Sequence, residues 1–311
     1  MPVRRVRGPA PFRCLFHIAL VAALALMPPT PLGAQEIVGK RLFVDQLVIP
    51  EPFVEDEISL PSILYMKRGR VDSQRAAHLV NIGGEIKKRI TEDLEVSLGG
   101  GVTHVDDEER SVTGFDNLDV GLKYQFLRSA AHEAVASVAV LWEVGGTGRA
   151  ASGAESFDTV RPDLLVGKGL GDLPDGLALL RPLAVSARLG AEVSVGERRA
   201  ALAWGAVVEY SVPYLETFAW PVGLPPPLNG FVPLVEVDLR TDFDGRLAGR
   251  ARGTVNAGFI WVSDVLQIGT EVVIPLDAQS GHGLGARAFV RVPLEAIFGD
   301  RAGQPIFGRH Q

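Results

Sequence analysis

Cysteine is all but missing from this 311-residue chain: the only one, Cys14, lies in the first segment. Once that segment is removed, the remainder can form neither a disulfide nor a thiolate metal site. Long apolar runs are missing as well. Beyond residue 34 no stretch reaches the ~18 uninterrupted apolar residues of a spanning helix, and 22% charged residues exclude a polytopic helical membrane protein. Net positive charge is absent too, since the formal charge is −6. A nucleic-acid partner is therefore not expected.

What is present begins with a leader. Arg4, Arg5, Arg7 and Arg13 precede or open an apolar run from Cys14 to Met27, and Leu32-Gly33-Ala34 follows a proline-rich break. Basic start, short apolar stretch and small residues before a cut describe a secretory signal peptide over 1–34. Its removal leaves 27 basic residues against 37 acidic ones, a formal charge of −10. Cys14 precedes the apolar run instead of following it, which argues against a lipoprotein anchor.

The mature chain reads as strands. From Asp116 to Phe126, Leu118, Val120, Leu122, Tyr124 and Phe126 share one parity while Asp119, Gly121, Lys123 and Gln125 share the other. Successive strand side chains point to opposite faces, so such a strand is two-faced. The pattern recurs near 55–67, 77–89, 92–105, 133–144, 159–170, 180–195, 201–212, 230–240, 251–261, 265–276 and 283–293. Tilted membrane strands need ~9–11 residues, whereas strands of soluble domains cluster near 5–6.

An export signal, long two-faced strands and an even count of about twelve predict an all-β fold, an antiparallel transmembrane β-barrel. The divisions expected are a signal peptide at 1–34, a short periplasmic segment at 35–54, the barrel at 55–293 and a C-terminal extension at 294–311. A proline-rich break at 214–229 cannot lie inside a sheet. Loop parity places it on the periplasmic side, where so long a connection is unusual.

A soluble sandwich or lipocalin-like barrel would bury the apolar parity, whereas a membrane barrel turns it to lipid. Tyr124, Phe126, Trp142, Trp204, Tyr210 and Trp261 lie on that parity and suit an interfacial aromatic belt. The opposite parity carries Glu85, Glu95, Asp119, Lys123, Asp163, Arg188, Glu192, Glu209, Asp238, Glu271, Arg287 and Arg291. A central Arg or Lys facing lipid costs ~2–4 kcal/mol, so these side chains are expected to line a lumen.

The segments Gly-Leu-Pro-Pro-Pro-Leu-Asn (223–229), Val-Pro-Leu-Val-Glu (232–236), Thr-Val-Asn-Ala-Gly-Phe-Ile-Trp-Val (254–262) and Gln-Ile-Gly-Thr-Glu-Val-Val-Ile-Pro (267–275) form a more specific pattern. With Val-Glu-Asp-Glu (54–57) and Phe-Asp-Asn-Leu-Asp-Val-Gly-Leu-Lys-Tyr (115–124), it resembles outer-membrane proteins of the phenol-degradation meta-pathway family. The resemblance covers most of the mature chain. It implies a transporter-like barrel for small, often aromatic, molecules, and it carries over no catalytic motif. Such barrels often end on a terminal aromatic, whereas here residues 294–311 continue past the last strand.

Chemistry-bearing clusters are sparse. His78, His104, His132, His282 and His310 are scattered, and proximity of His104 to Asp106 or His282 to Ser280 in sequence is not triad geometry. The acidic run Asp106 to Glu109 lacks the spacing of a calcium loop, and no helix follows Gly99-Gly100-Gly101 to make a phosphate cradle. No enzyme, cofactor or metal is expected. The expected role is passive passage of small, possibly aromatic or apolar, molecules through the bacterial outer membrane. Lipid, cargo and the barrel assembly machinery are the expected partners. A barrel plugged by its own charged side chains, serving as an anchor or loop platform, is the alternative; an outer-membrane enzyme ranks below it.

Overall fold

The computed structural model describes residues 37–70, 76–197, 199–245, 248–263 and 265–308. The leader expected at 1–34 and His310 lie outside them. Two short strands, β1 (Ile37–Val38) and β2 (Arg41–Leu42), pair with each other. The others are β3 (Glu57–Arg68), β4 (Ala77–Thr91), β5 (Leu94–Asp107), β6 (Ser111–Phe115), β7 (Leu118–Ser129), β8 (Ala134–Val144) and β9 (Thr159–Gly169). They continue with β10 (Leu183–Ser194), β11 (Arg199–Tyr210), β12 (Phe231–Asp242), β13 (Ala251–Val262), β14 (Gln267–Pro275) and β15 (Gly285–Pro293).

Every neighbour in this series pairs antiparallel, and β15 returns to β3 with Arg287 opposite Leu64. β6 and β7 both pair with the same edge of β5, so they count as one interrupted strand. The result is an all-β closed barrel of twelve antiparallel strands. Closure leaves no unpaired edge, the condition a sheet must meet in hydrocarbon.

The break between β6 and β7 refines the expected strand 116–126. Asp116 accepts hydrogen bonds from Asn81 Nδ2 and Thr103 Oγ1, each at 2.6 Å, and Asn117 Nδ2 donates to Glu143 and to the Glu155 carbonyl. These two side chains answer to partners across the wall, so the ladder resumes only at Leu118. Glu133, expected inside a strand, instead has left-handed backbone (φ 45°) at the turn before β8.

Alternation sorts the two faces as the sequence pattern requires. Leu98, Leu118, Val120, Leu122, Val140 and Leu189 are exposed on the outer surface. Inside, the wall is not uniformly polar. Val207, Val232, Leu234, Ile260 and Phe289 form a buried apolar cluster with Val44 and Leu47, and Phe43 and Phe53 pack with Val38, Val135 and Ala184. The core of this barrel therefore lies between its wall and an N-terminal segment enclosed within it. Fully burying a Phe or Ile contributes about 1.5–3 kcal/mol, enough for Phe43, Ile49 and Phe53 to hold that segment in place.

One barrel end carries the connections 92–93, 130–133, 170–182, 211–230 and 263–266; the other carries those between β3 and β4, β5 and β6, β8 and β9, β10 and β11, β12 and β13, and β14 and β15. The proline-rich connection does share its end with the tightest turn. So does 170–182, making two long connections on the side where short turns were expected. The C-terminal extension forms a short helix at Leu294–Phe298 and a 3-10 turn at Asp300–Gly303. It then folds along β4, where the Ile306 and Phe307 amides donate to the carbonyls of Arg89 and Ile90.

Candidate functional site

The stretch expected as a short periplasmic segment is where the structure departs most from the sequence reading. Residues 43–56 pass through the lumen as an inner strap. Its apolar side, Val44 and Leu47, faces the β11–β15 wall. Its acidic residues meet cations of β4 and β7, and Asp45 meets Arg291 of β15. The physical reason is visible in composition: Phe43, Val44, Ile49, Phe53 and Val54 are too apolar for a solvated tail, and Asp45, Glu51, Glu55 and Asp56 need cations.

Those cations come from the wall. Lys87 Nζ lies 2.8 Å from Glu51, 2.5 Å from Glu55 and 3.2 Å from Glu57. Lys123 Nζ lies 2.6 Å from Glu51 and 3.2 Å from Glu95, and it donates to the Phe53 carbonyl at 2.9 Å. Arg291 reaches Asp45 at 2.6 Å. Burial alone would raise the Glu51 carboxyl, but Lys123 and Lys87 together hold it at about 2. Glu55 goes the other way: burial and the nearby Glu57 raise it well above the usual carboxylate range, despite Lys87.

Backbone contacts complete the seat. The Glu236 carboxylate accepts from three successive strap amides, Leu47 at 2.7 Å, Val48 at 3.1 Å and Ile49 at 2.8 Å. Arg287 donates to the Leu47 carbonyl at 2.6 Å, and Glu95 accepts from the Glu55 amide at 2.8 Å. Ser137 Oγ donates to the Pro52 carbonyl. A strap that runs without a sheet partner thus has its buried backbone groups met by wall side chains, as such groups require.

At the barrel rim Arg41 locks the strap's entry. It donates to the carbonyls of Arg181, Pro182 (2.7 Å) and Leu183 (3.2 Å), pairs with Glu133 at 3.4 Å and lies 4.2 Å from the Tyr214 ring centre. The Tyr214 hydroxyl donates to Glu133; burial and that carboxylate push it up to about 12.

Beside the strap lies a cavity of about 750 Å³. Leu47, Val48 and Ile49 of the strap line one side of it. From the expected set the wall contributes Glu85, Glu95, Asp119, Lys123, Asp163, Arg188 and Arg291, and it adds Glu143 and Arg161, which pair with each other at 2.5 Å. Arg188 lies 3.4 Å from Asp163 and 3.7 Å from Asp238. Glu85 and Asp119 flank Gly99 from neighbouring strands, where a Cβ would touch both side chains; among the described residues neither has an ion-pair partner.

All twelve expected lumen residues stand on the inward parity, but they do different things. Glu95, Lys123, Arg287 and Arg291 hold the strap. Glu192 pairs with Arg240 farther along the lumen, and Glu209 and Glu271 are buried with Glu236 on the strap's far side. Lys87 and Glu236, the two residues with most strap contacts, were not singled out from sequence. Their parity was legible, but their partner segment was not.

The six expected belt aromatics stand on the outward parity. Tyr210 and Trp261 are at strand ends, where they donate to the carbonyls of Leu179 and Pro227. Trp204, by contrast, sits near the middle of β11, between Leu189 and Leu239. The histidines form no triad among the described residues: His104 contacts Thr113 at 2.7 Å and Ser111 at 3.4 Å, and Ser280 donates to Asp277 instead of meeting His282. Asp107 accepts from the amides of Glu109 and Arg110, a turn closed on itself.

A scan against protein-family models and a search of curated protein sequences found no match. Among solved structures, the fold is similar to an outer membrane channel from Pseudomonas putida F1, with 13% identity and a TM-score of 0.51 over 80% of this chain and 99% of that one. Salmonella typhi OmpF in complex with daunomycin aligns over 78% of this chain and 97% of that one at 7% identity, with a TM-score of 0.32. The outer membrane protease OmpT from Escherichia coli aligns over 76% and 91% at 9% identity and a TM-score of 0.20. Only the first is close enough in shape to bear on the fold, and at that identity it speaks to the fold alone.

Proposed function

We propose that this chain is an outer-membrane β-barrel channel whose lumen is narrowed by its own N-terminal strap, and that small molecules pass it without energy input. The observation that carries the reading is the 750 Å³ cavity between charged wall and strap, inside a closed barrel whose outer surface is apolar. Likeness in fold to the Pseudomonas putida F1 channel supports it. The resemblance to the phenol-degradation meta-pathway family favours small aromatic cargo, for which Leu47, Val48 and Ile49 offer apolar contact beside the charged side chains of the cavity. Outer-membrane lipid and the barrel assembly machinery are its natural partners, and no catalytic role is assigned.

Planar-bilayer recordings test this. Changing Arg188 to Glu places a third carboxylate beside Asp163 and Asp238, so the reversal potential in a salt gradient should shift toward cation preference. An unchanged preference counts against a path past Arg188. A second reading has a specific observation in its favour: the strap spans the lumen with contacts on both walls. A protein that inserts correctly yet never conducts would support a plugged barrel acting as anchor or loop platform.

A further inference from the structure

The connection 211–230 is chemically unlike a water-exposed loop. Among its residues Glu216 is the only charged one. That carboxylate accepts from the amides of Val222 at 3.2 Å, Gly223 at 2.9 Å and Leu224 at 3.4 Å. Its charge is thus spent on backbone groups that water would otherwise satisfy. At the same time Phe218, Trp220, Val222 and Leu228 expose apolar side chains, Trp220 at 60%. Large apolar groups gathered at one surface mark a contact with something.

Position says with what. Trp261 stands on the outward parity of β13, and its indole donates to the Pro227 carbonyl at 3.1 Å. Tyr210, outward on β11, donates to the Leu179 carbonyl of the neighbouring connection, where Leu177 and Leu179 are also exposed. Both connections are therefore held by side chains on the outside of the wall, continuous with its apolar surface. The inner side of 211–230 is fixed separately by Tyr214 and Leu215, which are buried.

We infer that 211–230 is a membrane-surface foot: Trp220, Val222 and Leu228 insert into the lipid interface beside β11–β13, extending the lipid contact of the barrel beyond its strands, while Phe218 packs on the inner side against Tyr214 and beneath Lys40. The occupant is a phospholipid surface, because the patch of Trp220, Val222 and Leu228 continues the lipid-facing wall and the connection's one charge, Glu216, is taken up by backbone amides, a composition that interfaces favour. The inference rests on the membrane-barrel reading. It also accounts for a connection longer than the turns usual at that end.

The test uses the mature protein in phosphatidylcholine vesicles with bromine placed high or deep in the acyl chain. Of the four tryptophans, one variant keeps only Trp220 (Trp142, Trp204 and Trp261 each changed to Phe) and a second keeps only Trp204, at mid-strand. Trp220 emission should be quenched several-fold more by high bromine than by aqueous iodide, and Trp204 emission by deep bromine. Iodide quenching of Trp220 with lipid quenching of Trp204 overturns the foot and leaves the membrane barrel standing. Failure of both to respond to brominated lipid overturns both. Because Trp261→Phe removes the hold on Pro227, and in case the triple substitutions do not fold, Val222→Cys in the otherwise cysteine-free mature chain with all four tryptophans in place takes a nitroxide label; preferential relaxation by oxygen supports the foot, and by aqueous nickel complex removes it.

Discussion

Lys87 is the residue on which the strap depends most. Its ammonium is the shared counter-ion of Glu51, Glu55 and Glu57, and its side chain is only 5% exposed. Removing one partner of a buried ionic set leaves the others uncompensated, at about 3–5 kcal/mol. Lys87→Met should lower stability by that order, read from urea midpoints in detergent micelles. Lys123→Met, which leaves Glu51 still paired with Lys87, should cost less.

Two neighbouring carboxylates give the seat opposite pH responses. Glu51 is held at about 2 against an ordinary 4.5, so its folded form binds fewer protons than its unfolded form. The stabilisation is complete above about 4.5 and is lost as pH falls toward 2. Glu55 is raised, so its folded form prefers the proton and stability declines as pH rises from the ordinary carboxylate range through its raised value. The strap should stay seated at pH 5 and loosen below pH 4, seen as larger single-channel conductance. Glu55→Gln should reduce the loss of stability on the alkaline side by the Glu55 share while leaving the acid limb, which Glu51 sets, in place.

At the scale of elements, the strap and the wall were made for each other. Glu236 meets three successive strap amides while Val207, Leu234, Ile260 and Phe289 meet its apolar side chains. Glu236→Leu leaves those amides buried and unpaired, at about 1–3 kcal/mol each where water cannot reach them. Excising residues 43–54 removes the lumen's occupant without touching a barrel strand. The expected outcome is a folded barrel with higher and less selective conductance; a barrel that no longer assembles would mean that the strap is needed for closure.

For the whole molecule the decisive property is the inversion of faces. Leu189 is exposed on the outer wall at the middle of β10, between Leu164 and Trp204. In a bilayer, Leu189→Arg should cost about 2–4 kcal/mol, measured by reversible unfolding from vesicles. In a water-soluble barrel the same change would be nearly neutral. A negligible effect would therefore count against lipid contact at this position.

The chain's own pattern was enough for the barrel. A period of two in Asp116 to Phe126 and its eleven counterparts assigns each side chain to a face, because alternation is a property of the extended backbone and needs no partner. Parity alone put Asp119 and Lys123 inward and Leu118, Val120 and Leu122 outward. It could not say what Lys123 faces, since Glu51 lies 72 residues away and carries no periodic mark. The strap's path, the different tasks of Lys123 and Asp119, and the apolar half of the lumen were decided only by the tertiary structure. Burial of Phe43, Ile49 and Phe53 and neutralisation of four acids both require the wall to be closed around them, and closure joins β3 to β15 across the length of the barrel sequence.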